Sequence, residues 1–272
     1  AGKGDVRVRQ VLGHTSGVPG WTPPITVEDL IDLERSEALL AAEAPWYEPG
    51  SAPAYQLIDH GHLLDAIVRG ATGRPLADVL HEDVVAPLGG GFHLGVPEDL
   101  LDDCADLIAP PRLELDPDHP PTDFLVRTIL NPGLSTRTCN SAAWRRSAVG
   151  GAGGHGTARG VAQVQAVVSH GGEVGGTRLL SPGAVDRIWE VQSSGTDLLL
   201  DVPLTFGLGY GLATPAAPAL PGGRMCWWTG YGGAIVVNDA ETRTTFAYAP
   251  NKLATHLVSS PRTDAYVRTA FD

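Results

Sequence analysis

The sequence predicts an α+β fold, mainly helical in the middle of the chain with antiparallel strands late, on three observations. Helix-start signals and apolar stripes of helical spacing fill the middle, aromatic and β-branched runs crowd the end, and no internal repeat interleaves the two. A chain of 272 residues can bury about 70–75% of its unfolded surface, so one domain with a sizeable core is expected over 1–272. Within it, 22–200 reads as a mainly helical region and 204–272 as the C-terminal strands and helix.

Taken in order, Asp5-Val-Arg-Val-Arg-Gln-Val-Leu12 enters structured-looking sequence with no start signal and reads as the middle of a protein. Gly13-His-Thr-Ser-Gly-Val-Pro-Gly20 is a Gly/Pro-rich turn. His14 and Ser16 are too close in sequence to form a catalytic Ser–His pair, and the turn reads as a structural corner. Thr26-Val-Glu-Asp29 predicts a capped helix start, with Val27, Leu30, Ile31, Leu39 and Leu40 on its apolar stripe and its end before Pro45. The loop Trp46-Tyr-Glu-Pro-Gly-Ser-Ala-Pro-Ala-Tyr55 delivers Tyr55 to the head of a second helix. There Leu57, Gly61, Leu64, Ile67 and Val68 share a face.

His60 and His62 lie two apart, on different faces of that helix, and read as polar surface rather than a metal pair. Gly73-Arg-Pro75 leads into a helix over Leu76 to Leu88, and 89–121 is a connecting region whose acidic residues read as a solvated face. Phe92–Val96 is a possible short strand, Leu100–Ile108 a possible short helix, and Phe124–Leu130 another. Thr157 caps a helix carrying Val161, Val164, Val167 and Val168, and Ser181-Pro182 starts one with Val185, Ile188 and Trp189 inside. Phe206-Gly-Leu-Gly-Tyr-Gly-Leu212 alternates glycine with apolar residues like a strand passing close to another segment. Cys226–Asn238 and Thr244–Ala249 are two more strands, and Tyr266, Val267 and Phe271 belong to a terminal helix.

Composition excludes several functions. A net charge of −12 with no basic stripe argues against nucleic acid or an anionic membrane as partner. Cys104, Cys139 and Cys226 are odd in number and widely spaced, which fits three buried thiols rather than a disulfide framework or zinc site. No apolar run reaches membrane-spanning length and no signal peptide opens the chain, which makes the cytoplasm the default compartment. Gly151-x-Gly153-x-x-Gly156 fits a dinucleotide loop in spacing, but Trp144-Arg-Arg-Ser-Ala148 before it is no buried strand. No cofactor or metal is indicated.

The stretch Cys226-Trp-Trp-Thr-Gly-Tyr-Gly-Gly-Ala-Ile-Val-Val-Asn238 carries the clearest chemical signal. Glycines within such a run mark either a sheet-edge bulge or a backbone that something approaches closely. Thr229 and Gly230 stand where it is narrowest, and bare N–H groups beside small residues stabilise oxyanions in acyl transfer.

Four ordered segments are Gly13-His-Thr-Ser-Gly-Val-Pro19, Pro49-Gly50 with Tyr55, Gly154-His-Gly-Thr-Ala-Arg-Gly160 and Thr229-Gly230-Tyr231-Gly232-Gly233. Together they resemble the serine β-lactamase-like hydrolases: class C β-lactamases, penicillin-binding proteins and related carboxylesterases. The resemblance implies an antiparallel sheet flanked by helices with a mainly helical subdomain. It also implies a Ser-x-x-Lys nucleophile, a Tyr-x-Asn base and a Lys-Thr-Gly strand. Tyr55 then matches the tyrosine, Trp228-Thr229-Gly230 the strand triplet, and the N–H of Tyr231 one oxyanion donor.

Three departures stand out. Leu57 occupies the place of the asparagine and Trp228 that of the lysine, which favours neutral or hydrophobic acyl esters because an indole cannot pair with a substrate carboxylate. Lys3 and Lys252 are the only lysines and neither closes a Ser-x-x-Lys, so the nucleophile, with its helix and the first strands, is expected outside this chain. A tyrosine with a pKa of about 10 is only about 0.1% ionised at neutral pH, so Tyr55 needs the cation that such a lysine would supply.

The expectation is a carboxylesterase that works through an acyl-enzyme on a small-molecule ester or acyl substrate, inactive as this chain alone. A missing N-terminal segment or a second chain would complete its sheet. A non-catalytic ligand-binding relative, an acyltransferase or a D-Ala peptide hydrolase are the alternatives.

Overall fold

The structure is a computed structural model and describes residues 2–111, 118, 120–220 and 222–271. Helix α1 (Val8–Leu12) runs into the Gly13–Gly20 turn. Helix α2 (Val27–Ile31) begins on the capping box read from the sequence: Asp29 N–H donates to Thr26 Oγ1 at 3.1 Å, and Thr26 N–H donates to Asp29 at 2.9 Å. The single helix expected up to Pro45 is two. Asp32, extended at φ −76° and ψ 92°, ends α2, and its carboxylate caps α3 (Leu33–Ala42) by accepting from Arg35 N–H at 3.1 Å.

Helix α4 (Asp59–Thr72) corrects two expectations. Its buried positions are Asp59, Gly61, His62 and Asp65, so of the expected apolar face only Gly61 is fully inside while Leu64, Ile67 and Val68 are half-buried; His62 is buried and His60 half-buried rather than polar surface. His62 is 0% exposed, with Nε2 2.9 Å from the Leu30 carbonyl, and the His60 ring centroid lies 4.4 Å from that of His14. The cause is that α4 is covered on both flanks, by α3 and by α1.

Helix α5 (Leu76–Val79) widens into a π-helical turn over Leu80–Val85. Strand β1 (Phe92–Leu94) pairs antiparallel with β2 (Gly154–Gly156), and between them lie a 3₁₀ turn (Glu98–Asp103), α6 (Asp123–Ile129), α7 (Thr136–Cys139) and α8 (Ala142–Arg146). Asp99, Asp102 and Asp103 are exposed, as the acidic pattern predicts. Residues 112–117 and 119 of that connecting region lie outside the described residues.

Glycines 150 and 151 are needed for a reason other than nucleotide binding. A Cβ on Gly61 would stand 2.5 Å from Gly150 Cα, and one on Gly151 would stand 2.7 Å from Ile58 Cα, so this loop crosses the head of α4 backbone to backbone.

Helix α9 (Ala158–Ser169) starts on the predicted Thr157 cap, which accepts from Gly160 N–H at 3.0 Å. The short hairpin β3 (Glu173–Val174) and β4 (Thr177–Arg178) follows, then α10 (Pro182–Asp186) with a 3₁₀ turn (Arg187–Trp189). Strands β5 (Ser193–Thr196) and β6 (Pro203–Phe206) form a hairpin. The strand expected over 206–212 therefore ends at Phe206, and only Gly211 bridges onward, to Phe206 and to Trp227. Gly211 has to be small there: a Cβ would stand 2.8 Å from the Trp228 ring.

The predicted single strand Cys226–Asn238 is a hairpin of β7 (Met225–Thr229) and β8 (Ile235–Asp239). Gly232 and Gly233, at φ +93° and +100°, make the reversal possible. Strand β9 (Thr244–Tyr248) pairs with β8 on one side, and α11 (Pro261–Phe271) follows. One core cluster joins Val18, Trp21, Leu30, Leu40 and Trp144 in the helical part, and another joins Trp227, Val237 and Val267 under the sheet. Cys226 is buried, whereas Cys104 and Cys139 are only half-buried. Among the described residues no helix is long and apolar enough to cross a membrane.

Candidate active site

The Gly13–Gly20 turn and the loop that carries Tyr55 are one assembly. Trp46 N–H donates to Gly17 O at 2.8 Å, Gly50 N–H to Thr15 O at 2.9 Å and Ala54 N–H to His14 O at 2.8 Å. His14 sits in the left-handed region at φ 56°, and its Nδ1 accepts from Gln56 N–H at 3.2 Å. Ser16 Oγ accepts from Val18 N–H at 3.1 Å, so the turn is structural and holds no Ser–His pair. With little secondary structure of its own, the Pro/Gly loop takes its shape from this corner.

Tyr55 therefore projects from a braced backbone into a cluster of rings. Its ring centroid is 4.9 Å from that of His14, edge-on, and 4.6 Å from that of Trp228. Phe206 completes the group, 4.5 Å from His14 and 5.1 Å from Trp228. The Trp228 indole N–H donates to the Tyr55 phenol oxygen at 2.7 Å. Burial pushes the Tyr55 hydroxyl up to about 12, the indole donor pulls against this, and the carboxyls of Asp197 and Asp59 push further in the same direction as burial. No cation among the described residues offsets them. Burial also drives His14 well below the usual imidazole value and His60 down to about 4, so both rings are neutral at pH 7.

On β7, Thr229 and Gly230 continue the wall that Trp228 begins. Thr229 Oγ1 and Gly230 N–H both reach the Ala234 carbonyl at 2.8 Å, which ties the turn to the strand end. Gly232 N–H donates to His256 O at 3.1 Å. Tyr231 between them is 51% exposed, and among the described residues its N–H has no partner.

Trp228, Thr229 and Gly230 line an open groove of about 460 Å³ with Phe92, Gln165 and Tyr210. The structure thus brings Tyr55, Trp228, Thr229 and Gly230 into one neighbourhood. Tyr55, Leu57 and Tyr231 are not among the residues lining the groove; Tyr55 reaches it through its bond to Trp228, and Leu57, half-buried just ahead of α4, offers no polar group.

Sequence reasoning overlooked His14 and Phe206 as walls of the ring cluster and Asp197 as the acceptor of the Tyr55 N–H at 2.7 Å. His14 could have been found from its place in the tight turn. Asp197, 142 positions from Tyr55, had no local signal. Chemically the site offers a neutral phenol held by an indole and an apolar wall, with the Tyr231 N–H, unpartnered among the described residues, just beyond Gly230.

A family model described as Beta-lactamase matches residues 1–269. The chain is 30% identical over 270 residues to "Esterase/beta-lactamase LipL" of Mycobacterium tuberculosis, covering 94% of this chain and 61% of that relative; it thus spans about three fifths of that relative's length. Among solved structures, a family VIII carboxylesterase superposes with a TM-score of 0.89 at 29% identity, covering 99% of this chain and 71% of the other. A penicillin-binding protein homologue from Caulobacter crescentus superposes with a TM-score of 0.88 at 28% identity, covering 100% and 72%.

Proposed function

We propose that this chain, which belongs to the Beta-lactamase family, forms the acyl-binding wall and the base of a carboxylesterase that works through an acyl-enzyme. The observation that carries the reading is the 2.7 Å bond from the Trp228 indole to the Tyr55 hydroxyl. It places a proton acceptor beside an apolar wall, and an indole there stabilises a developing phenolate without attracting a substrate carboxylate. Neutral esters are the substrates this favours, and the esterase-like relatives support it.

In this reading Tyr55, as phenolate, takes the proton of a serine hydroxyl while the serine oxygen attacks the ester carbonyl. The N–H of Tyr231 stabilises the resulting oxyanion, Thr229 and Gly230 flank it, and Leu57 leaves the base without an amide neighbour. Collapse of the tetrahedral intermediate expels the alcohol, which takes up the proton, and water then releases the acid and regenerates the serine. The 272 residues contain no Ser-x-x-Lys, so the nucleophile and the cation that would ionise Tyr55 come from outside them. Without such a cation the buried phenol, pushed up to about 12, would stay protonated at pH 7.

The test is p-nitrophenyl acetate hydrolysis by the isolated chain and by the entire reading frame. The expected result is turnover only by the latter, with a serine-bound acyl group visible by mass spectrometry and lost activity in Tyr55→Phe. A reading frame without Ser-x-x-Lys that binds esters but does not turn them over would establish the second reading, a non-catalytic relative. That no cation among the described residues acts on Tyr55 supports this second reading.

A further inference from the structure

We propose that Asp197 is a positioning residue for Tyr55: its buried carboxylate fixes the backbone from which the phenol reaches Trp228. This rests on the reading of Tyr55 as the base. Asp197 is 0% exposed, between β5 and β6. Its Oδ1 accepts from Leu199 N–H at 3.0 Å and Leu200 N–H at 2.9 Å, while Oδ2 accepts from Tyr55 N–H at 2.7 Å. Beside it, Leu198 N–H donates to Pro53 O at 2.9 Å. The β5–β6 turn is thus stapled to the chain on either side of Ala54, at Pro53 and at Tyr55.

Turn formation does not explain this arrangement. Capping 198–200 needs one carboxylate oxygen, and Oδ1 alone does it, as in an ordinary Asx turn. The second oxygen is free for a different task and crosses 142 positions to a single N–H. A buried carboxylate is costly unless its oxygens are bonded, and charge-assisted N–H bonds are the strong, short kind. The amide N of Tyr55 is one bond from its Cα, so fixing it limits where the phenol can go. Without it, that backbone would rest on the Ala54 and Gln56 bonds to His14 and on the Leu198 bond to Pro53.

Asp197→Asn separates the two tasks. To keep Oδ1 accepting from Leu199 and Leu200, the amide must turn its NH₂ onto the Tyr55 N–H, which breaks only that bond. The control is Thr122→Val, which removes the hydroxyl that donates to Leu199 O at 2.7 Å and also caps α6 by accepting from Leu125 N–H at 3.0 Å; it weakens the same turn and the α6 start without touching Tyr55.

The readout in the isolated chain is the Trp228 Nε1–H signal in ¹H–¹⁵N spectra, assigned with Trp228→Phe. We expect Asp197→Asn to shift that signal and speed its exchange with solvent about tenfold or more, while Thr122→Val lowers stability and leaves it in place. In the entire reading frame, Asp197→Asn should lower kcat about 10- to 100-fold with KM little changed, and add nothing in a Tyr55→Phe background. If Asp197→Asn does not fold, Asp197→Ser, which keeps one oxygen for the turn, replaces it.

An unmoved indole signal in Asp197→Asn, or equal effects of Asp197→Asn and Thr122→Val, would overturn the proposal. Full activity of Tyr55→Phe would instead overturn the role of Tyr55, leaving the indole signal to decide whether Asp197 positions it.

Discussion

The indole N–H of Trp228 meets the hydroxyl of Tyr55 at 2.7 Å, although the two residues are 173 positions apart. A donor on a phenol oxygen favours the phenolate, so it holds the hydroxyl below where burial alone would put it. In Trp228→Phe the ring packing survives and the donor is lost. The Tyr55 ionisation should move above its value of about 12, which ultraviolet difference spectra of the alkaline titration can follow. In the entire reading frame kcat/KM should fall about 10²-fold, the usual consequence of removing one preorganised donor.

The pH dependence of folding tests Asp59. Burial raises its carboxyl to about 7, with the Gln56 amide pulling back. A carboxyl raised in the folded state keeps a proton that the unfolded chain has already released between about pH 4 and 7. Its contribution to stability therefore falls as pH rises through that window. His14 and His60, lowered by burial, act with the opposite sign, because the unfolded chain gains their protons first as pH falls. Asp59→Asn retains the Asp59 neighbourhood without its titration. Its stability relative to the parent should rise with pH by about 1.4 kcal/mol per unit across the window and level off above it. Urea unfolding of both proteins at pH 5 and pH 8 measures this, and the histidine contributions cancel in the comparison.

Two glycines on α4 should respond oppositely to alanine. At Gly61 the added Cβ would lie 2.5 Å from Gly150 Cα, a clash with backbone that only a separation of the loop from the helix could relieve. Gly61→Ala should cost about 3 kcal/mol or more in urea unfolding. At Gly70, exposed and with nothing within 4 Å of the new Cβ, alanine should stabilise by about 0.5–1 kcal/mol. Equal effects at both positions would contradict the close crossing.

What was legible in the sequence was what is local. The Thr26 and Thr157 caps need only three residues each to declare themselves, and both are in place. The α+β order follows from the same kind of signal. His60 and His62 were misread because their burial is decided by α1 and α3, which lie far away in sequence. The β7–β8 hairpin reads as one strand in the sequence because its reversal is hidden inside a β-rich run, where only the consecutive Gly232 and Gly233 hint at positive φ. Tyr55 and Trp228 could be named as partners of one site through the family resemblance. The bond between them depends on the Gly13–Gly20 corner and on Asp197, neither of which is encoded near either residue.

Strand β7 is at once core and cleft. Trp227 is 1% exposed and donates its indole N–H to Leu212 O at 2.9 Å, while its neighbour Trp228 lines the groove. A mutation that repacks the core under Trp227 should therefore also move Trp228 and the groove it lines. Changes selected for core packing at Trp227 and changes selected for groove shape at Trp228 should be assayed together.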